Sequence, residues 1–178
     1  QLVNEINKSL GNIGQTILFD SCLRVRKGLD DNMERLVKKM QNSEVDALIV
    51  WNVNPAYTWY DREGFIDGIK KVGLSVSLSS VPDETNKLMQ YICPDHHYLE
   101  SWNDVEAKRF KYSLMQPVIN PIYNTRQMQD SLLKWSGGGV VFHDFLKGFW
   151  GTNFMPLQTD YFTSDAFFEN TLQKGIFE

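Results

Sequence analysis

Residues 45–50, Val-Asp-Ala-Leu-Ile-Val, form a nearly continuous apolar run that breaks at Trp51-Asn52-Val53-Asn54-Pro55. A run of this kind marks a strand covered on both faces, as strands are in a parallel sheet. Parallel neighbours are joined through a crossover, and the next stretch supplies one. Phe65, Ile66, Ile69 and Val72 fall on one side of a helix near 63–72, and Gly73 follows it. Leu74-Ser75-Val76-Ser77-Leu78-Ser79 then alternates strictly and reads as the next strand. Strand, loop, helix and strand fit the roughly 30 residues of a βαβ unit, whose crossover is expected right-handed. The expected fold class is α/β: a Rossmann-like open parallel sheet with helices on both faces, plus an irregular and helical C-terminal part.

The flanking segments extend this reading. Asp30-Asp31-Asn32 offers N-caps to a helix near 31–42, with Met33, Leu36, Val37 and Met40 at i, i+3, i+4 and i+7. Leu2, Val3, Ile6 and Leu10 share a face of an earlier helix that Gly11-Asn12-Ile13-Gly14 ends, and Thr16-Ile17-Leu18-Phe19 suggests a short strand. Asp83-Glu84-Thr85 opens a helical turn, and Tyr91-Ile92-Cys93 reads as a third strand stopped by Pro94. Residues 95–124 mix polar and aromatic side chains with Pro117 and Pro121, and a layered excursion rather than sheet is expected there. Asn124 or Thr125 caps a helix that buries Met128, Leu132 and Trp135, and Gly137-Gly138-Gly139 follows as a flexible joint. Aromatics crowd the stretch from Phe142 to Phe177, where Ser164 is the expected cap of a last helix ending near Gly175. These patterns divide the chain into an α/β domain, 1–139, and an aromatic-rich helical extension, 140–178, packed on it or on a neighbour.

Composition narrows the partners. The 178 residues carry 18 basic and 22 acidic side chains, a net charge of -4, which argues against nucleic acid as a partner. No apolar run approaches the roughly 18–20 residues of a membrane span, so no direct membrane insertion is expected. Cys22 and Cys93 lie far apart with no C-x-x-C, so neither an iron–sulfur cluster nor a Cys-rich zinc site fits within the chain. Whether they pair depends on the fold. The chain opens on Gln1-Leu2-Val3 and stops at Ile176-Phe177-Glu178, which reads as a piece of a longer protein.

In an open α/β sheet, ligands bind beyond the carboxyl ends of the strands, at the switch in strand order. Two loops lie there: Trp51 to Pro55 after one strand, and Ser79 to Thr85 after the next. Asn54, Pro55, Ser79, Glu84 and Thr85 are therefore the candidate cofactor-binding residues. The plain alternative makes Asn54-Pro55 a turn and Asp83 a helix cap. No G-x-G-x-x-G and no Walker motif follows any strand. Asp95-His96-His97-Tyr98-Leu99-Glu100 is dense in potential metal ligands, but adjacent histidines on an extended segment point to opposite sides. No metal site is expected there. His143-Asp144 has no G-x-S-x-G nucleophile to serve, and no catalytic residue is proposed.

The residues resemble a family. Leu48-Ile49-Val50-Trp51-Asn52-Val53-Asn54-Pro55, then Asp83-Glu84-Thr85, Pro94 and Leu99-Glu100, resemble the second Rossmann-type half of molybdopterin oxidoreductases. Asn4-x-x-Asn7-x-x-Leu10-Gly11-Asn12-Ile13-Gly14 is similar to the helix before that half. The stretch from Leu99-Glu100-Ser101-Trp102 through Gln116-Pro117-Val118-Ile119-Asn120-Pro121 to Thr125-Arg126 is similar to the tetrathionate- and polysulfide-reductase branch. It is closer still to the large iron–sulfur subunit of alternative complex III, a membrane quinol:electron-acceptor oxidoreductase, and the Phe167-Phe168 to Gly175 ending is consistent with that branch.

The resemblance implies a full-length protein with molybdopterin guanine dinucleotide and iron–sulfur clusters, the isolated chain holding none. It implies as partners the other domains of the same polypeptide and the subunits of a respiratory complex on the periplasmic side of the bacterial inner membrane. Asn54-Pro55 and Asp83-Thr85 would lie near the guanosine end. Relatives that bind the cofactor follow the residue matching Glu100 with a glycine- and Asn-rich stretch and a later Gly-Arg. This chain has Ser101-Trp102-Asn103-Asp104-Val105-Glu106 and Tyr112-Ser113-Leu114-Met115-Gln116, bulky and acidic groups that oppose a pyrophosphate. The expected function is a structural domain of an electron-transfer subunit with a vestigial cofactor site, inactive by itself. The alternative is a bis(molybdopterin guanine dinucleotide)-binding domain of a catalytic tetrathionate- or polysulfide-reductase-like enzyme. A vestigial cleft is expected to be filled by Trp51, Tyr57, Trp59 or residues 101–106.

Overall fold

The computed structural model describes residues 2–20 and 22–178; Gln1, on which the reading of the chain's opening rested, lies outside them. Three parallel strands, β1 (Ala47–Val50), β2 (Leu74–Ser77) and β3 (Tyr91–Ile92), form an open sheet in the order β1-β2-β3. Ile49 pairs with Val76, and Val76 with Tyr91, so side chains in one row across the sheet share a face. The strand order follows the sequence, so no reversal falls among these three. The loops after all three strands still emerge along one rim.

Helices cover both faces. Preceding the sheet are α1 (Leu2–Ser9) and α2 (Asp30–Gln41); α3 (Pro55–Thr58) and α4 (Arg62–Ile69) form the crossover. Val37 and Met40 of α2 meet Phe65 and Ile69 of α4 over Val50 of β1. Burying each such side chain stabilises by about 1.5–3 kcal/mol. The helices approach closely at Gly68, where an added Cβ would lie 3.0 Å from Met40 Cβ. The strict alternation of β2 has an unexpected consequence: Ser75 and Ser77 are as buried as their apolar neighbours. The Gln90 N–H donates to Ser75 Oγ at 3.0 Å, and the Ser77 hydroxyl donates to Asn86 Oδ1 at 2.5 Å. The serine face thus stitches the β2–β3 connection, including a 3₁₀ turn at Asn86–Leu88, to the sheet. On the other face Val76 and Leu78 pack against Met128 of α5 (Met128–Trp135).

Residues 95–124 depart from expectation. They contain an antiparallel hairpin, β4 (Asn103–Lys108) and β5 (Lys111–Met115), turned by Arg109 and Phe110. Phe110 takes the left-handed φ of 62° that the tight turn demands. The hairpin carries the C-terminal aromatics, which run through α6 (Phe142–Asn153), a 3₁₀ turn at Met155–Leu157 and α7 (Ser164–Lys174). Trp150 is fully buried among Leu114, Phe167 and Phe168, and its indole N–H donates to Asp104 Oδ2 of β4 at 2.9 Å. Thr163, not Ser164, caps α7 by accepting from the Ala166 N–H, and Gly175 ends it at φ 76°. Leu132 and Trp135 of α5 remain largely exposed, unlike Met128. Thr16–Phe19 is not a strand: Ile13 and Ile17 make an isolated bridge inside a turn closed by Asn12.

Candidate functional site

The rim beyond the strand ends is built from three loops. Asn54 immediately precedes α3, and Pro55 sits at its first position, where a missing N–H costs nothing. Two loop residues after β2, Glu84 and Thr85, reach across to it. Thr85 is 0% exposed; its backbone N–H and hydroxyl both donate to Asn54 Oδ1, at 3.2 and 2.7 Å. Its oxygen accepts from the Ala56 N–H at 3.0 Å, while Asn54 Nδ2 donates to Glu84 Oε2 at 2.6 Å. That amide holds the exposed Glu84 carboxyl below the usual glutamate range, with smaller help from Lys87 and Arg62.

Four of the five candidate residues thus lie together, Asn54, Glu84 and Thr85 by direct bonds and Pro55 beside them. Ser79 stands apart. It lies two residues past β2, is only 5% exposed, and among the described residues its hydroxyl has no hydrogen-bond partner.

The sequence reading did not foresee the role of Asp95. No metal site is expected in the Asp95–Glu100 stretch, and the structure gives Asp95 a specific structural place as the junction of the third loop. Asp95 Oδ1 accepts from the Met128 N–H at 2.7 Å and from the His96 N–H at 2.8 Å; Oδ2 accepts the Trp51 indole N–H at 2.6 Å. One buried carboxylate therefore meets the N-terminus of α5 and ties it to the loops after β1 and β3, a position the helix dipole favours for an anion. The only sequence signal was an aspartate just after Pro94 at a strand end.

Glu100 repeats the pattern. Its Oε1 accepts from the Ile122 N–H and Oε2 from the His97 N–H, both at 3.0 Å, and these donors hold its carboxyl below the usual range. Beside them a cleft of about 440 Å³ is lined by Val81, Asp95, Glu100, Ile119 and Tyr123 among others.

Of the expected aromatic filling, Trp51 reaches across the rim through its indole bond to Asp95 but leaves its ring partly exposed. Tyr57 remains exposed, Trp59 packs on the α2–α4 core, and Trp102 of the 101–106 segment turns toward the C-terminal aromatics. Rim closure is polar instead: donors and acceptors of neighbouring loops satisfy one another. Among the described residues no group of three or more His, Cys, Asp or Glu is arranged to hold a metal ion. Cys22 and Cys93 are both free thiols. Among the described residues no helix is long and apolar enough to cross a membrane.

An open parallel sheet flanked by helices, with its loops gathered on one rim, defines an α/β Rossmann-like architecture. No family model matches the chain. The molybdopterin-binding-like subunit of menaquinone reductase from Nitratidesulfovibrio vulgaris is 31% identical over 111 residues, which cover 57% of this chain and 16% of that protein. Acetylene hydratase from Pelobacter acetylenicus shares the fold, with a TM-score of 0.52 at 18% identity over 60% of this chain and 16% of that one. The chain therefore spans about a sixth of the length of these proteins. The first likeness supports a broad link to the molybdopterin-oxidoreductase superfamily, and the second shows a shared fold.

Proposed function

We propose that the chain is a structural α/β domain of an electron-transfer subunit, one that keeps the molybdopterin-oxidoreductase scaffold around a vestigial cofactor site. The observation that carries this reading is the self-paired rim. A pyrophosphate is held by backbone N–H groups and neutral donors. Here the Met128, His96, Ile122 and His97 N–H groups already donate to Asp95 and Glu100. Asn54 and Thr85 spend their polar atoms on each other, on Glu84 and on Ala56. A dianion placed at this rim would displace carboxylates from their donors and meet them at close range. These residues do not fit a pterin dinucleotide.

The full-length protein would then be a subunit of a membrane quinol:electron-acceptor oxidoreductase on the periplasmic side of a bacterial inner membrane. It would pass electrons through iron–sulfur clusters held elsewhere in the polypeptide. The name of the similar menaquinone reductase subunit, molybdopterin-binding-like, supports a subunit of a quinone-linked oxidoreductase that keeps a molybdopterin-type scaffold. The second reading is a bis(molybdopterin guanine dinucleotide)-binding domain of a catalytic tetrathionate- or polysulfide-reductase-like enzyme. The buried, unpartnered hydroxyl of Ser79 favours it, since such a group has a donor to offer.

Metal analysis of the full-length polypeptide, purified from its own cells, separates the readings. The structural reading predicts iron in several-fold excess over polypeptide and no stoichiometric molybdenum. Molybdenum near one per polypeptide overturns it.

A further inference from the structure

The tip of the β4–β5 hairpin is basic in a chain that is otherwise acidic. Residues 22–27 read Cys-Leu-Arg-Val-Arg-Lys and residues 108–111 read Lys-Arg-Phe-Lys; apart from one cysteine, every side chain is basic or apolar and none is acidic. The fold brings the start of the first stretch, residues 22–24, against the second, and residues 25–27 continue from there toward the loop after β1. The Arg24 N–H donates to the Ala107 carbonyl at 2.9 Å, the Arg109 N–H to the Cys22 carbonyl at 3.0 Å, and Leu23 bridges Lys108 in antiparallel sense. Residues 22–24 thus form a third short edge beside β4, in a chain whose net charge is -4.

The apolar members face solvent. Leu23 is 73% exposed, Val25 72% and Phe110 60%. Phe110 stands at the apex, with the Arg109 guanidinium carbon 4.8 Å from its ring centroid. Two carboxylates from outside these stretches brace the tip. Glu106 accepts from the Phe110 N–H at 3.1 Å and pairs with Arg24 at 2.6 Å, while Glu178 pairs with Lys111. Arg26, Lys27, Lys108 and Arg109 have no ion-pair partner among the described residues.

We propose that this hairpin tip is a docking surface for an anionic lipid bilayer, with the basic side chains at the headgroup phosphates and Phe110 at the interface. Basic groups alone would suit an acidic protein equally well. The interleaving of exposed Leu23, Val25 and Phe110 with arginine and lysine favours lipid, because a bilayer surface offers anionic charge and an apolar layer within a few ångströms. The tip projects one aromatic with flanking cations, which reaches a headgroup layer without any spanning segment. The inference stands on the hairpin and does not depend on the reading of the strand-end rim.

Co-sedimentation of the purified full-length protein with vesicles tests it. Binding is expected to phosphatidylcholine vesicles containing phosphatidylglycerol, with release at high salt and none to phosphatidylcholine alone. Each basic group near an anionic surface contributes about fivefold to partitioning. Lys108→Glu with Arg109→Glu should therefore weaken binding at least about tenfold. Phe110→Ser should weaken it several-fold with the melting temperature kept, and Lys38→Glu with Lys39→Glu on α2 should leave it intact. The proposal fails if anionic vesicles do not bind, or if the tip and α2 variants weaken binding alike. It also fails if a poly-glutamate peptide binds the tip while vesicles do not, which would assign the surface to an acidic protein segment.

Discussion

Thr85 donates twice to Asn54 Oδ1, through its backbone N–H and its hydroxyl, and the pair joins the loop after β1 to the loop after β2. Neither residue would meet the other without the parallel pairing of Ile49 with Val76, which sets both strand ends at one level. The bond is thus a product of the sheet register and a brace on it. An amide and a hydroxyl so placed are spent within the protein, on each other, on Glu84 and on the backbone N–H groups of Thr85 and Ala56.

Replacing Asn54 with Ala should destabilise the chain by about 1–3 kcal/mol, because the buried Thr85 loses its acceptor. Thr85→Ala should cost a similar amount by orphaning the Ala56 N–H. The two losses should not add: removing both partners costs less than the sum, with an interaction energy of about 0.5–3 kcal/mol. Urea unfolding of the two single variants and the double variant measures it; strict additivity would mean the bond carries no energy.

Asp95→Ala should be more damaging, by about 2–4 kcal/mol, since the Met128 and His96 N–H groups and the Trp51 indole lose one acceptor together. Trp51 fluorescence should change in the folded state as its indole N–H is released. An unchanged emission spectrum with unchanged stability would remove Asp95 from its place at the junction.

Much of the α/β scaffold was legible in the sequence. The apolar run ending at Val50 and the i, i+3, i+4, i+7 spacing of Met33, Leu36, Val37 and Met40 are local patterns, and the structure carries both. The β4–β5 hairpin was not legible, because Val105 and Ala107 face solvent and Arg109-Phe110 is no Asn-Gly turn. Its strands are held by Trp150 and Asp104, which lie 46 positions apart. At the rim, the sequence named Asn54 and Thr85 but not their pairing, and it set aside a metal site at Asp95 without identifying the donors that the carboxylate gathers. Which donor meets which acceptor is fixed by register and crossover length, not by neighbours in the chain.

Trp150→Ala should cost about 3–5 kcal/mol, the usual loss for a large buried aromatic. Trp150→Phe should cost less, because the ring packing against Phe154 and Phe167 is largely kept while only the bond to Asp104 goes. Thermal unfolding should rank them wild type, Phe, Ala; equal melting temperatures would contradict the packing described for this cluster.

Acid should weaken the carboxylate network. The Ile122 and His97 N–H groups hold the folded Glu100 carboxyl below its unfolded value, and the Phe110 N–H and Arg24 do the same for Glu106. A depressed folded pKa gives stability that is present above the unfolded pKa, about 4.3, and is lost as pH falls through the folded value. Melting temperature should therefore fall steeply in that acid range. Glu100→Gln should start lower at neutral pH and fall less steeply; curves parallel to wild type would contradict the assignment.

Thermal melting of the chain with and without GDP tests the self-paired rim most directly. A site still open to a guanine nucleotide would gain about 2.7 kcal/mol at a hundred times its dissociation constant, a rise of about 5–10 °C for a domain of this size. The account predicts no shift for the wild-type chain, because Asn54, Thr85, Asp95 and Glu100 already satisfy one another and the rim N–H groups. A clear rise with GDP that disappears in the Asn54→Ala, Thr85→Ala double variant would contradict it and make the rim a working nucleotide site.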